Sequence, residues 1–200
     1  MLEVEVKIEG SKENIAKLTK DAKFIKEVTN DDIYFDTKDF KLTTKTIWLR
    51  TRNGRWELKW PVQDAVGYSD LMSAQYFEIE DHDEILERLE LPKEHPIEKT
   101  LKNSGLIECA HAITTRQKYK DGEFNIDIDS MDYGYNLIEV ELVTEDDVDA
   151  KKLEDKIWNY IESKGIDTDR KMIRGKVITF LKRHKPNHFQ ILINAGVIKL

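Results

Sequence analysis

Two hundred residues with a net charge of -7 are enough for one domain with a sizeable core, and the acidic balance argues against a non-specific nucleic-acid binder, which would be basic overall. The 40% hydrophobic and 36% charged fractions describe a well-solvated chain, and no apolar run approaches the roughly 20 residues of a membrane span. Cys109 is the only cysteine, so an intramolecular disulfide is excluded; with the chain entering directly on Leu2-Glu3-Val4-Glu5, a cytoplasmic location is expected.

Glu3 to Ile8 alternates Glu3, Glu5 and Lys7 with Val4, Val6 and Ile8, the period-2 pattern of a strand with one ionic and one apolar face. Ser11 caps a helix carrying Ile15, Ala16 and Leu18. Ile33 to Thr37 reads as the second strand and Lys45 to Thr51 as the next, with Asn53-Gly54 turning into Arg55 to Trp60. Pro61 ends that strand, Val62 to Leu71 reads as a loop, and Ala74 to Glu80 as a strand. Two short helices are expected around Ile85-Leu89 and Ile97-Leu101, separated at Pro92 and Pro96. Ile107 to Lys118, Phe124 to Asp129 after the Asp121-Gly122 turn, and Leu137 to Val143 complete about eight strands. The rest is helical: Asp149 to Lys164 with Gly165 as its stop, Met172 to His184, and a short helix from Phe189 to Ala195. With no repeat, low-complexity stretch or linker, residues 1–200 read as a single domain.

The charged alternation recurs. Trp48, Arg50 and Arg52 share a face, as do Glu57 and Lys59, then Tyr76, Glu78 and Glu80, then Asp127 and Asp129, then Glu139 and Glu141. A sheet with one nearly all-ionic face and one face rich in Ile, Val, Leu and Trp closes most simply as a β-barrel, ionic face inward and helices outside. The expected class is therefore an all-β-dominated α+β fold. Inward charges are costly unless paired, and a set holding both signs suits a polyanion together with a divalent cation. Other chemistries lack their signatures. There is no Gly-rich phosphate loop and no nucleophile elbow, and the five histidines (His82, His95, His111, His184, His188), without zinc spacing, read as surface residues.

In this order, Glu3-x-Glu5-x-Lys7, Trp48-Leu49-Arg50-Thr51-Arg52, Trp56-Glu57-Leu58-Lys59-Trp60-Pro61, Tyr76-Phe77-Glu78, Arg116, Asp127-x-Asp129, Asp132-Tyr133-Gly134-Tyr135, Glu139-x-Glu141 and Lys176 resemble the motifs of the CYTH superfamily, the triphosphate tunnel metalloenzymes, and most closely its thiamine triphosphatase branch. ExExK alone is a weak signal; the ordered set is a specific one. The resemblance implies an eight-stranded antiparallel closed barrel in which Lys7, Arg50, Arg52, Lys59, Arg116 and Lys176 contact phosphates. Glu3, Glu5, Asp127, Asp129, Glu139 and Glu141 would hold Mg²⁺ or Mn²⁺, and Trp48 would stack on the organic moiety. It also implies Lys59 as a proton acceptor partnered by Tyr76, though plain phosphate binding by Lys59 is an equal alternative. Tyr133 stands where phenylalanine is familiar, and Ile138 where the branch often has glycine.

The expected activity is metal-dependent removal of the terminal phosphate of thiamine triphosphate, by a monomer that binds a small-molecule triphosphate and neither nucleic acid nor membrane. Inorganic tripolyphosphate hydrolysis is the near alternative. A class IV type adenylate cyclase and a non-catalytic polyphosphate-binding module follow, the latter disfavoured because an anion binder gains nothing from acids beside its ligand.

Overall fold

The computed structural model describes residues 2–61, 76–144, 149–171 and 173–198, with the side chains of residues 2 and 3 excepted. Its elements run β1 (Leu2–Glu9), α1 (Lys12–Thr19), β2 (Lys23–Asp36), β3 (Trp48–Arg52), β4 (Arg55–Pro61), β5 (Tyr76–Ile79), α2 (His82–Arg88), α3 (Ile97–Asn103), β6 (Ile107–Asp121), β7 (Phe124–Met131), β8 (Tyr135–Thr144), α4 (Ala150–Ser163), α5 (Lys176–His184) and α6 (Pro186–Asn194). The strands form one eight-stranded sheet in the order β1-β8-β7-β6-β2-β3-β4-β5. Each pairing with a defined register is antiparallel. Among the described residues this order has two ends, β1 and β5, so the sheet is established and the expected closure is not. No described helix is long and apolar enough to cross a membrane.

The described residues divide into two compact units, each assembled from separated segments: residues 2–29, 114–144, 149–171 and 173–176, and residues 30–61, 76–113 and 177–198. In the first, Val4, Val6 and Ile8 of β1 pack with Ile138, Val140 and Leu142 of β8, and with Ile126 and Ile128 of β7. Leu18 of α1 and Leu153, Ile157, Trp158 and Ile161 of α4 join the same cluster. Burying each of those large side chains contributes about 1.5–3 kcal/mol. Ile138 lies opposite Ile8 and Ile128 and is fully buried, so it fills the apolar layer and does not touch the ionic face.

In the second unit, Leu49, Trp56, Leu58 and Ile79 pack against Ile85 and Leu86 of α2 and Ile97 and Leu101 of α3. A separate cluster joins Tyr34, Trp48 and Ala110 to Leu181 of α5 and Phe189 and Leu192 of α6. Asp36, fully buried, organises the loop after β2. Its carboxylate accepts the amides of Thr37, Leu42 and Thr43 at 2.7–2.9 Å and the Thr43 hydroxyl at 2.6 Å. That hydroxyl lies 2.8 Å from His188 Nε2. Because the Thr43 proton goes to the carboxylate, Nε2–H must donate to the Thr43 oxygen, leaving Nδ1 as a buried lone pair with no hydrogen-bond partner. The surface reading therefore fails for His188, which is 3% exposed, while His82, His95, His111 and His184 are exposed.

Several boundaries differ from the sequence reading for local reasons. β2 begins at Lys23, ten residues before the expected Ile33, because residues 23–27 are all exposed and show no alternation to read. β3 starts at Trp48 because Thr43–Lys45 form a 3-10 turn and Thr46 takes a left-handed φ of 59°. α6 starts at Pro186, whose fixed φ and missing N–H suit the first helical turn. The Asn53-Gly54 turn has φ of 50° and 78°, the hairpin geometry expected there. The expected loop at 62–71, the first two residues of the strand expected from Ala74, and Met172 lie outside the described residues.

Candidate functional site

The antiparallel register of the first unit stacks the ionic residues into rows. Lys7 lies opposite Glu139, Glu139 opposite Asp127 and Asp127 opposite Lys118; in the next row Glu5 lies opposite Glu141. Glu5, Glu139 and Glu141 each offer a carboxylate oxygen, and these atoms lie within 4.8 Å of one another. Lys7 pairs with Glu5 across one residue of β1. Burial opposes the Lys7 ammonium, but Glu5 and Glu139 outweigh it and hold the group above the ordinary lysine range.

Asp127 and Asp129 have a different setting. Arg116 forks onto Asp129, with Nε and Nη2 each 2.6 Å from a carboxylate oxygen, reaches Asp127 through Nη1 at 2.6 Å, and also bonds Glu139. Lys118 and Lys176 add contacts of 2.7 Å to Asp127 and Asp129. Burial again opposes the Arg116 charge, and Glu139, Asp129 and Asp127 raise it well above the usual range. So Arg116, expected only as a phosphate contact, is the hub of the carboxylate set. The sequence carries no local sign of this, since the partners lie 11–23 residues away. Asp127 Oδ1 is buried with no hydrogen-bond partner.

These donors suit a hard divalent cation, which takes carboxylate oxygens. A converging trio of carboxylates and an orphaned carboxylate oxygen are what such an ion would satisfy. Glu5, Glu139 and Glu141 come together in this way; Asp127 lies opposite Glu139 in register, and Arg116, Lys118 and Lys176 hold Asp127 and Asp129. The side chain of Glu3 lies outside the described residues.

The second unit holds the remaining candidates. Arg50, 3% exposed, bonds Glu57 through Nη2 at 2.6 Å and Nε at 2.7 Å, and its Nη1 donates to the Tyr34 hydroxyl at 3.3 Å. Arg52 forks onto the buried Asp32 at 2.7 and 2.8 Å. Lys59 pairs with Glu78 at 2.6 Å. Burial works against the Glu78 carboxylate, but Lys59, with help from Arg50 and Arg52, holds it below its usual range. The Trp48 indole N–H donates to the Tyr76 hydroxyl at 3.2 Å, and the ring meets Tyr34 edge-on with centroids 6.4 Å apart. Lys59 lies opposite both Trp48 and Glu78 in register, which brings Trp48, Lys59, Tyr76 and the two arginines onto one patch of sheet.

A CYTH domain model matches residues 1–175. The chain belongs to the CYTH family. CYTH proteins include metal-dependent triphosphatases and cyclases acting on small triphosphates. Among curated relatives of this CYTH chain, the thiamine-triphosphatase of Homo sapiens is 25% identical over 98% of this chain and 91% of its own length. Among solved structures, a Pyrococcus horikoshii protein superposes with a TM-score of 0.60 at 20% identity, covering 92% of this chain and 99% of that one. A Hippeastrum protein described as having a dominant triphosphatase activity gives 0.52 at 16% identity, covering 82% and 88%. Both structures share the CYTH fold with this chain.

Proposed function

We propose that this CYTH chain hydrolyses the terminal phosphoanhydride of a small triphosphate with Mg²⁺ as its cofactor, and that thiamine triphosphate is its substrate. The observation that carries the reading is the convergence of Glu5, Glu139 and Glu141, backed by the orphaned Asp127 oxygen. The curated thiamine-triphosphatase relative supports the organic half of the substrate.

In this reading Glu5, Glu139 and Glu141, with Glu3 as a further candidate, hold the ion, while Asp127 and Asp129 set its surroundings through Arg116. An ion held there would supply positive charge to the phosphate oxygens during phosphoryl transfer. Arg50 and Arg52, whose forks are taken by Glu57 and Asp32, would contribute positive charge to the non-bridging oxygens, as would Lys7, Arg116 and Lys176. Each of these cations already faces a carboxylate, so its charge is fixed in place before the anion arrives and needs little reorganisation. Lys59, whose ammonium pairs with Glu78, would have to give up its proton before accepting one from the attacking water, and plain phosphate binding is its equal alternative; Tyr76 lies on the same patch. Trp48 offers its ring to the thiazolium, worth about 0.5–2 kcal/mol. The closed barrel, the treatment of residues 1–200 as one domain, the monomeric state and the cytoplasmic location belong to this proposal as well.

The test is phosphate release from thiamine triphosphate, inorganic tripolyphosphate and ATP, each with Mg²⁺ and with Mn²⁺. The reading expects thiamine triphosphate to have the highest kcat/KM. A chain that prefers tripolyphosphate moves the assignment to the inorganic substrate, and one that releases no phosphate from any of them ends it.

A further inference from the structure

Lys176 is the last residue of the first unit's final segment, and α5 begins on it. A lysine at the start of a helix is long and flexible, and its ammonium would sample a wide arc unless the backbone beneath it were fixed. Two tyrosines supply that fixing. The Tyr133 hydroxyl donates to the carbonyl of Lys176 at 2.7 Å, and the Tyr135 hydroxyl donates to the carbonyl of Arg174 at 2.6 Å. The bonds form two rungs: donors two residues apart meet acceptors two residues apart. Gly134, with φ of 74° in the turn after β7, lies between the two tyrosines, whose rings stand 6.3 Å apart at an interplanar angle of 16°.

A third bond closes the arrangement. The Ile173 amide donates to the Lys7 carbonyl at 3.1 Å, and the position a side chain would occupy on Gly175 lies 3.6 Å from Lys7 Cε. The segment 173–176 is thus tied to the β7–β8 turn on one side and to β1 on the other. This is why α5 starts at Lys176, four residues after the Met172 start expected from the sequence. The Lys176 ammonium, with its side chain only 11% exposed, comes to rest 2.7 Å from Asp129 Oδ2, on the same oxygen that accepts Arg116 Nη2.

We infer that Tyr133 and Tyr135 are positioning residues for Lys176, fixing through their hydroxyls the backbone from which its ammonium reaches the carboxylate set. Neither hydroxyl need touch the substrate. A phenylalanine in either place keeps the ring and loses only the donor, so the role belongs to two oxygen atoms. This inference rests on the reading of Lys176 as a phosphate contact, and the experiment separates the two.

Tyr133→Phe, Tyr135→Phe and the double variant are compared with the wild type, alone and in a Lys176→Ala background. Backbone amide hydrogen exchange in the free protein is the readout that needs no turnover; amides of residues 174–178 should exchange faster in the double variant while β7 and β8 keep their protection. In steady state on tripolyphosphate, each hydroxyl removed should raise KM about fivefold to tenfold with a smaller change in kcat. In the Lys176→Ala background the same changes should add little, because the group they position is gone. Unchanged exchange at 174–178, or a tyrosine effect that adds in full to Lys176→Ala, would overturn the inference. A wild type inactive on every triphosphate would sink the functional reading instead, and the exchange comparison would still decide whether the tyrosines anchor Lys176.

Discussion

At the scale of single residues, burial separates side chains that a motif treats alike. Arg50 and Arg52 sit two apart on one face, yet Arg50 is buried among Glu57, Tyr34 and Asp32, whereas the Arg52 side chain keeps 22% of its surface exposed. Removing Arg50 takes both close contacts from the half-buried Glu57 while Asp32 keeps the Arg52 fork, so Arg50→Ala should lower stability by about 1–3 kcal/mol as well as weaken substrate binding. Arg52→Ala removes the fork on Asp32, whose side chain is 1% exposed, so it should cost more stability, about 3–5 kcal/mol, and also raise KM; thermal melts beside kinetics read both, and a variant that melts with the wild type would count against this assignment. Glu141→Gln should cut kcat/KM about 100-fold or more while leaving the metal-free melting temperature unchanged or raised, because one member of a self-repelling trio is neutralised. Near-normal turnover would remove Glu141 from the metal set. Trp48 is 7% exposed within an apolar cluster, so alanine there would confuse packing with recognition. Trp48→Leu fills more of the space and removes the aromatic face; it should lower kcat/KM for thiamine triphosphate about tenfold and leave tripolyphosphate nearly unaffected.

At the scale of elements, the Asp36–Thr43–His188 chain fastens α6 to the loop after β2. Burial, joined by Lys185, pushes the His188 imidazole below its ordinary value of 6.5, and Asp36 only partly offsets this. The folded state therefore favours neutral His188, and the unfolded chain binds the proton more readily. This contribution to stability is present above about 6.5 and is lost as the pH falls through the depressed folded value. The melting temperature should drop between pH 7.5 and 5.5, and His188→Gln should flatten that part of the profile; an unaltered slope in the variant would show that His188 is not the group responsible. The same elements show what a sequence can disclose. β1, the Asn53-Gly54 hairpin and α4 were legible because their signals are local: alternation, a turn pair, apolar residues at helical spacing. The first half of β2 was not, since its exposed Lys23, Phe24, Ile25 and Lys26 carry no periodic contrast. The Arg116 hub and the Thr43–His188 contact were hidden by sequence distance. For His188 a faint signal existed, because it precedes Phe189 and stands four residues before Leu192, both buried with it on α6.

At the scale of the whole molecule, family membership and structural need do not end at the same residue. The CYTH match stops at residue 175, before α5 and α6, yet Leu181, Phe189 and Leu192 of those helices cover Tyr34, Trp48 and Ala110 in the second unit. A chain cut after residue 175 should expose that cluster, and is expected to bind a hydrophobic dye and to aggregate where the full chain remains monodisperse. A soluble, fully active truncation would show that the helices are dispensable. A second consequence follows from β1 pairing along its whole length with β8, residue 2 with residue 144 and residue 9 with residue 137. On a translating ribosome the first strand emerges long before its partner exists. At roughly 5–20 residues per second, Val4, Val6 and Ile8 wait about 7–27 s for β8 to appear. During that interval a nascent chain offers a chaperone a short apolar strand edge, and slowing synthesis within residues 10–136 should lengthen that exposure without changing the finished fold.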